Sequence, residues 1–154
     1  MWWRLPVTTM TRVVLDSSVL ISAFLTEGGT AHQVLRAARG GAFVLCLSRE
    51  ILEETRSSLR EKVKTIRRYY GYTDERIEEH IADLAALAEL AGELPAIKAV
   101  PLDPRDDAIV ATAIAAGADY LISGDRHLLT LNAYRGIRIL TPRQFLDLLS
   151  AGRL

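Results

Sequence analysis

The chain has 154 residues, is 49% hydrophobic and 25% charged, and carries 19 lysines plus arginines against 19 aspartates plus glutamates. That length suits a single domain with one core, and the composition excludes disordered and collagen-like classes. A formal net charge of zero excludes a uniformly basic nucleic-acid coat, so a polyanion would have to be held by a local basic patch, by bound metal, or by both.

Residues 1–10 read as an N-terminal extension, with Met10 an alternative start, and residues 11–150 as the folded domain. Arg12 to Asp16 is a β-branched run ending in an acid, and Ser17 or Ser18 is expected to cap a helix over Val19 to Leu25. Thr30 to Arg39 reads as a helix stopped by Gly40-Gly41, and Phe43 to Leu47 as a buried strand. Its Cys46 is the single cysteine, which forbids an internal disulfide and fits a buried thiol in a reducing compartment. Ser48 caps an amphipathic helix expected to reach about Tyr70, and Thr73 opens another that runs toward Gly92. Pro95 and Pro101 bracket an expected strand over Ala96 to Val100. Asp103-Pro104 is a helix start with a capping acid and proline at the first position; Asp106 to Ala116 continues it and Gly117 ends it. Tyr120 to Ser123 is the next strand, Gly124-Asp125 a turn, Arg126 to Leu131 a short helix and Ile137 to Leu140 a last strand, with Thr141-Pro142 opening the terminal helix.

Strands that alternate with helices and are apolar on both faces predict a three-layer α/β/α sandwich with a central parallel sheet. In such sheets ligands sit beyond the carboxyl ends of the strands. No apolar stretch reaches the roughly 18 residues of a membrane span and no signal-peptide pattern opens the chain, which predicts a cytoplasmic protein that does not cross a membrane.

Acids stand at four strand-to-helix junctions. Asp16 ends the first strand and Asp125 follows the fourth; each taken alone also reads as a helix cap or turn acid. Asp103, Asp106 and Asp107 stand at the start of one helix, where its dipole favours negative charge. Asp103 is accounted for as a cap, whereas Asp106 shares a stripe with Val110, Ala113 and Gly117 and faces inward, where a carboxylate needs a partner. Glu53 and Glu54 follow the second strand; helical geometry does not separate them, and solvent exposure is the default for both. As a set, crowded carboxylates repel and raise one another's pKa unless a cation neutralises them, and oxygen-only ligation suits magnesium or manganese. Zinc is disfavoured, because His32, His80 and His127 are scattered and Cys46 lies in a strand.

The series Val14-Leu15-Asp16-Ser17-Ser18-Val19-Leu20, Ser48 to Glu54, Asp103-Pro104-Arg105-Asp106-Asp107 and Ala118-Asp119-Tyr120-Leu121-Ile122-Ser123-Gly124-Asp125 resembles PIN domains, especially their toxin-like branch, from about Thr11 to Leu149. The resemblance implies catalytic, metal-holding roles for Asp16, Glu54, Asp106 and Asp125, with Glu53 and Asp107 as near duplicates of two of them, and a supporting hydrogen bond from Ser123. It implies a magnesium- or manganese-dependent endoribonuclease, a homodimer, and a small antitoxin protein as partner. Where many relatives have threonine and asparagine after the first acid, this chain has Ser17 and Ser18.

The only basic cluster with aromatics is Arg56, Arg60, Lys62, Lys64, Arg67 and Arg68 with Tyr69, Tyr70 and Tyr72. It reads either as a surface for single-stranded RNA, with Arg67 and Arg68 as the candidate contacts, or as a solvated helix face balanced by Glu53, Glu54 and Glu61. A haloacid-type phosphatase would want an acid where Ser18 stands, and a dinucleotide site would want glycines after the first strand. The stronger alternative is a PIN-like binding module that acts through a protein partner without catalysis.

Overall fold

A computed structural model of the chain describes residues 10–66, 69, 71–98 and 104–154. The elements run β1 (Arg12–Leu15), α1 (Ser17–Leu25), α2 (Thr30–Arg39), β2 (Val44–Leu47), α3 (Arg49–Thr65), α4 (Asp74–Leu87), β3 (Glu89–Leu90), α5 (Pro104–Ala115), β4 (Tyr120–Ile122), α6 (Arg126–Leu131), β5 (Ala133–Tyr134), β6 (Ile137–Leu140) and α7 (Pro142–Ser150). They form one sheet in the order β3-β2-β1-β4-β6-β5, flanked by helices. The fold is α/β of the expected kind. The central strands are short and apolar throughout because both of their faces are covered: Val13, Val14, Leu15, Cys46, Leu47 and Ile122 have no exposed surface.

The sheet departs from a purely parallel one at its edge. β5 pairs antiparallel with β6 through a tight turn whose central residues, Arg135 (φ 49°) and Gly136 (φ 82°), both sit in the left-handed region. Hairpins of this type usually announce themselves as Asn-Gly or Asp-Gly, so Arg-Gly gives little sign of one. At the other edge the third strand is Glu89–Leu90, parallel to Cys46–Leu47, and not Ala96 to Val100. Ala96 to Lys98 belong to no strand, and Ala99 and Val100 lie outside the described residues. The chain leaves α4 through an extended Ala88 and enters the edge at once, where the Ala91 N–H donates to the Leu47 carbonyl at 2.8 Å and Arg12 pairs with Glu89 at 2.9 Å. A two-residue strand held by an ion pair has no alternation to detect.

Two helix boundaries also differ from expectation. α3 stops at Thr65, since Ile66 is extended and its N–H closes the last turn on the Lys62 carbonyl. The cap of α1 is Asp16 itself, whose carboxylate accepts from the Val19 N–H at 3.2 Å, rather than Ser17 or Ser18. The capping role expected of Asp103 falls on a residue outside the described ones. Cys46 is buried and free, and burial pushes its thiol pKa up.

Register places the site. Leu15 pairs with Ile122, and Val14 with Cys46, so the residues that follow β1, β2 and β4 emerge at one edge. Those residues are Asp16, Ser48 and Ser123, and all are buried.

Candidate active site

Asp16 lies at the centre of that edge with only 2% of its surface exposed. Its two oxygens are held from different parts of the chain. Ser18 Oγ donates to Oδ1 and Ser123 Oγ donates to Oδ2. Each serine in turn accepts a backbone N–H of the loop after β4: Gly124 N reaches Ser18 Oγ at 3.2 Å and Asp125 N reaches Ser123 Oγ at 2.9 Å. The hydroxyls therefore bridge the β1–α1 and β4–α6 junctions through one carboxylate. Burial pushes the Asp16 pKa up, and the hydrogen bonds from Ser123 and Ser18 pull it back.

Asp125 caps α6, accepting from the His127 N–H at 2.8 Å, so the capping reading of both Asp16 and Asp125 holds alongside their position at the sheet edge. Asp106 stands in the first turn of α5 and is 5% exposed. α5 packs on α3 and on β1, β2 and β4, and a buried hydroxyl contact between Thr112 Oγ1 and Ser48 Oγ at 2.8 Å joins it to the start of α3.

Asp16, Glu54, Asp106 and Asp125 line one pocket of about 360 Å3, together with Ser17, Ser18, Glu50 and Arg105. The near duplicates separate. Glu53 is exposed and ion-paired with Arg56, whereas Glu54 is half-buried and faces the pocket, near Arg105 Nη1 at 3.7 Å and Ser58 Oγ at 3.4 Å. Asp107 turns to a neighbouring cleft beside Leu94 and Pro95, away from Asp106. Ser18 does not cap α1 but folds its hydroxyl back onto the acid two residues before it, a contact that this spacing allows. Arg67 and Arg68 lie outside the described residues.

The donor set fits a hard divalent cation. The pocket offers carboxylate and hydroxyl oxygens and neither histidine nor cysteine, and two of its acids are almost wholly buried. Among the described residues no three acidic, histidine or cysteine side chains stand close enough to form a ready-made ion cage, so the acids share a pocket without being drawn onto one point. An exposed contact such as Arg105–Glu54 costs little to release.

A sequence model described as PIN domain matches residues 12–127, three-quarters of the chain and a span that includes Asp16, Glu54, Asp106 and Asp125. The chain belongs to the PIN-domain family. PIN domains are a family of metal-dependent nucleases, and membership supports the nuclease class for this chain. Among solved structures this PIN domain is similar to the crystal structure of PAE2754 from Pyrobaculum aerophilum, at 18% identity and a TM-score of 0.63, over 92% of this chain and 90% of that one. At that identity the likeness establishes a shared fold. The PIN domain of T. brucei RRP44 also matches, at 15% identity and a TM-score of 0.49, over 94% of this chain and 84% of the other. No curated protein sequence matches the chain. Among the described residues no helix is long and apolar enough to cross a membrane.

Proposed function

We propose that this PIN domain is a magnesium- or manganese-dependent endoribonuclease that hydrolyses single-stranded RNA at the pocket of Asp16, Glu54, Asp106 and Asp125, and that it is the toxin of a toxin–antitoxin pair. The observation that carries the reading is that one pocket collects acids from the N-terminal ends of four helices, α1, α3, α5 and α6, with oxygen as the only metal-binding donor. Residues 11–150 are taken as the nuclease unit and 1–10 as an extension to it. A cytoplasmic homodimer, silenced by a small antitoxin protein over the pocket mouth, completes the proposal.

Asp16, Glu54, Asp106 and Asp125 would hold the ion. When bound, it would supply Lewis-acid activation of water and neutralisation of charge on the phosphodiester. The chain's own residues do the positioning. Ser18 and Ser123 lock the Asp16 carboxylate in one orientation, so no rotamer freedom is lost when it is used. Asp125 is held by the His127 N–H on its Oδ1, which leaves its other oxygen for the pocket. Glu54 would exchange its weak, largely exposed contact with Arg105 for the pocket.

The test is cleavage of end-labelled single-stranded RNA by purified protein with magnesium or manganese. Cleavage should stop with chelator and be absent in Asp16→Asn prepared identically. Activity that persists in excess chelator, or that survives Asp16→Asn, would overturn the reading.

A further inference from the structure

A second groove leaves the acid pocket. It has a volume of about 430 Å3 and shares Ser17, Ser18 and Glu54 with the first pocket. Its walls are two stripes at helical i, i+4 spacing on neighbouring helices: Ser18, Ser22 and Thr26 along α1, and Glu54, Ser58 and Lys62 along α3. Two such steps advance roughly 12 Å along a helix axis, so the groove is an elongated track rather than a hole. Its chemistry changes along its length. The end at the acid pocket is negative through Glu54, the middle sets the hydroxyls of Ser22 and Ser58 beside the apolar Ile21 and Leu25, and the far end carries Lys62 and the half-buried ring of Tyr69.

The structure also sorts the basic cluster. Arg56 pairs with Glu53 and Glu78, and Arg60 with Glu78, so these guanidiniums tie α3 to α4. Lys64 is exposed and does not line the groove. Lys62 does line it, and among the described residues it makes no ion pair. Tyr69 is braced edge-on against Tyr72 at 6.1 Å, and Tyr72 against Phe24 at 5.1 Å, which holds the ring in place at the groove's end. Serine and threonine hydroxyls both donate and accept, a cation takes a phosphate, and an aromatic face takes any base; these are the parts of a sequence-tolerant single-strand track.

We propose that the groove between α1 and α3 carries the single-stranded RNA chain away from the scissile bond, with Lys62 on a phosphate, Ser22 and Ser58 on phosphate or sugar oxygens, and Tyr69 under a base. This rests on the nuclease reading of the acid pocket, and it makes these groups positioning residues for that reaction.

Binding of a fluorescein-labelled short oligouridylate, followed by anisotropy in chelator across a salt series, tests the track without cleavage. Lys62→Gln should weaken binding and reduce the log–log salt slope by about 0.7, the share of one single-strand phosphate. Tyr69→Leu should weaken binding at least about fivefold with the slope unchanged. Lys64→Gln should alter neither, and unchanged thermal melts confirm folded variants. In cleavage assays Lys62→Gln should raise KM and leave kcat alone. Unaltered affinity and slope in Lys62→Gln overturn the track even if the parent cleaves RNA. Binding that responds as described, in a parent that cleaves nothing with any divalent ion, supports the track and overturns the nuclease reading instead.

Discussion

Ser123 Oγ donates a hydrogen bond to Asp16 Oδ2, joining two buried residues 107 apart in the chain. The same oxygen accepts from the Asp125 N–H, so one hydroxyl positions the first acid and the loop that carries the last. A buried carboxylate whose pKa is pushed up by burial depends on such donors to stay charged.

Ser123→Ala should therefore damage both stability and activity. It leaves Asp16 Oδ2 and the Asp125 N–H without a partner, at a cost of roughly 1–3 kcal/mol for buried groups left unsatisfied. Cleavage or metal affinity should fall about 10–100-fold, as for other groups that orient a metal ligand. Chemical denaturation of the metal-free protein and initial rates on labelled RNA check the two parts separately.

Asp106→Asn should dissociate stability from function. Removing one of the pocket's negative charges should leave the metal-free protein as stable as the parent or more so, while cleavage is abolished. The parent should gain roughly 2.7 kcal/mol when magnesium or manganese is a hundredfold above its dissociation constant, and the variant should lose most of that gain. Thermal melts with and without metal decide it; a parent melt that metal does not move would contradict the ligand assignment.

The adjacent glutamates should behave unequally. Glu54→Gln should reduce cleavage at least about tenfold, whereas Glu53→Gln, which alters an exposed ion pair, should stay within about twofold of the parent and cost no more than about 1 kcal/mol of stability. Equal losses in rate would place the working acid elsewhere.

His80 should give the fold a component of acid sensitivity. Its ring packs on Phe24 at 4.8 Å, and burial pushes its pKa down, opposed by the hydrogen bond to the Leu20 carbonyl, with Arg39 lowering it further and Asp83 raising it. With the folded pKa below the unfolded value near 6.5, the unfolded chain binds more protons between the two, so stability rises with pH across that window. This contribution is fully present above about pH 6.5 and is lost as pH falls toward the folded pKa. Denaturation of the parent and His80→Gln over a pH series should show the flatter dependence in the variant.

By itself the sequence determined the alternation of strands and helices, the capped starts of α3, α4 and α7, and the acids at the ends of β1 and β4. Each of these is a local property, set by hydrophobic period, by a capping hydroxyl or by a turn within a few residues. Helical period already turned Asp106 inward in the sequence, whereas the tertiary structure alone shows Glu54 on the pocket and Glu53 outside it. A residue's place in a helix sets its angle about that helix axis, but what it faces depends on docking, here fixed by the Arg56–Glu78 contact on one side of α3 and by Ser48–Thr112 on the other. The edge strands β3 and β5 were hidden for a related reason: each has only two residues and exists through its pairing partner, not through any pattern of its own. Likewise Ser18 acquires its bridging role only because the β1–β4 register brings Gly124 beside it, a proximity that nothing in either segment encodes alone.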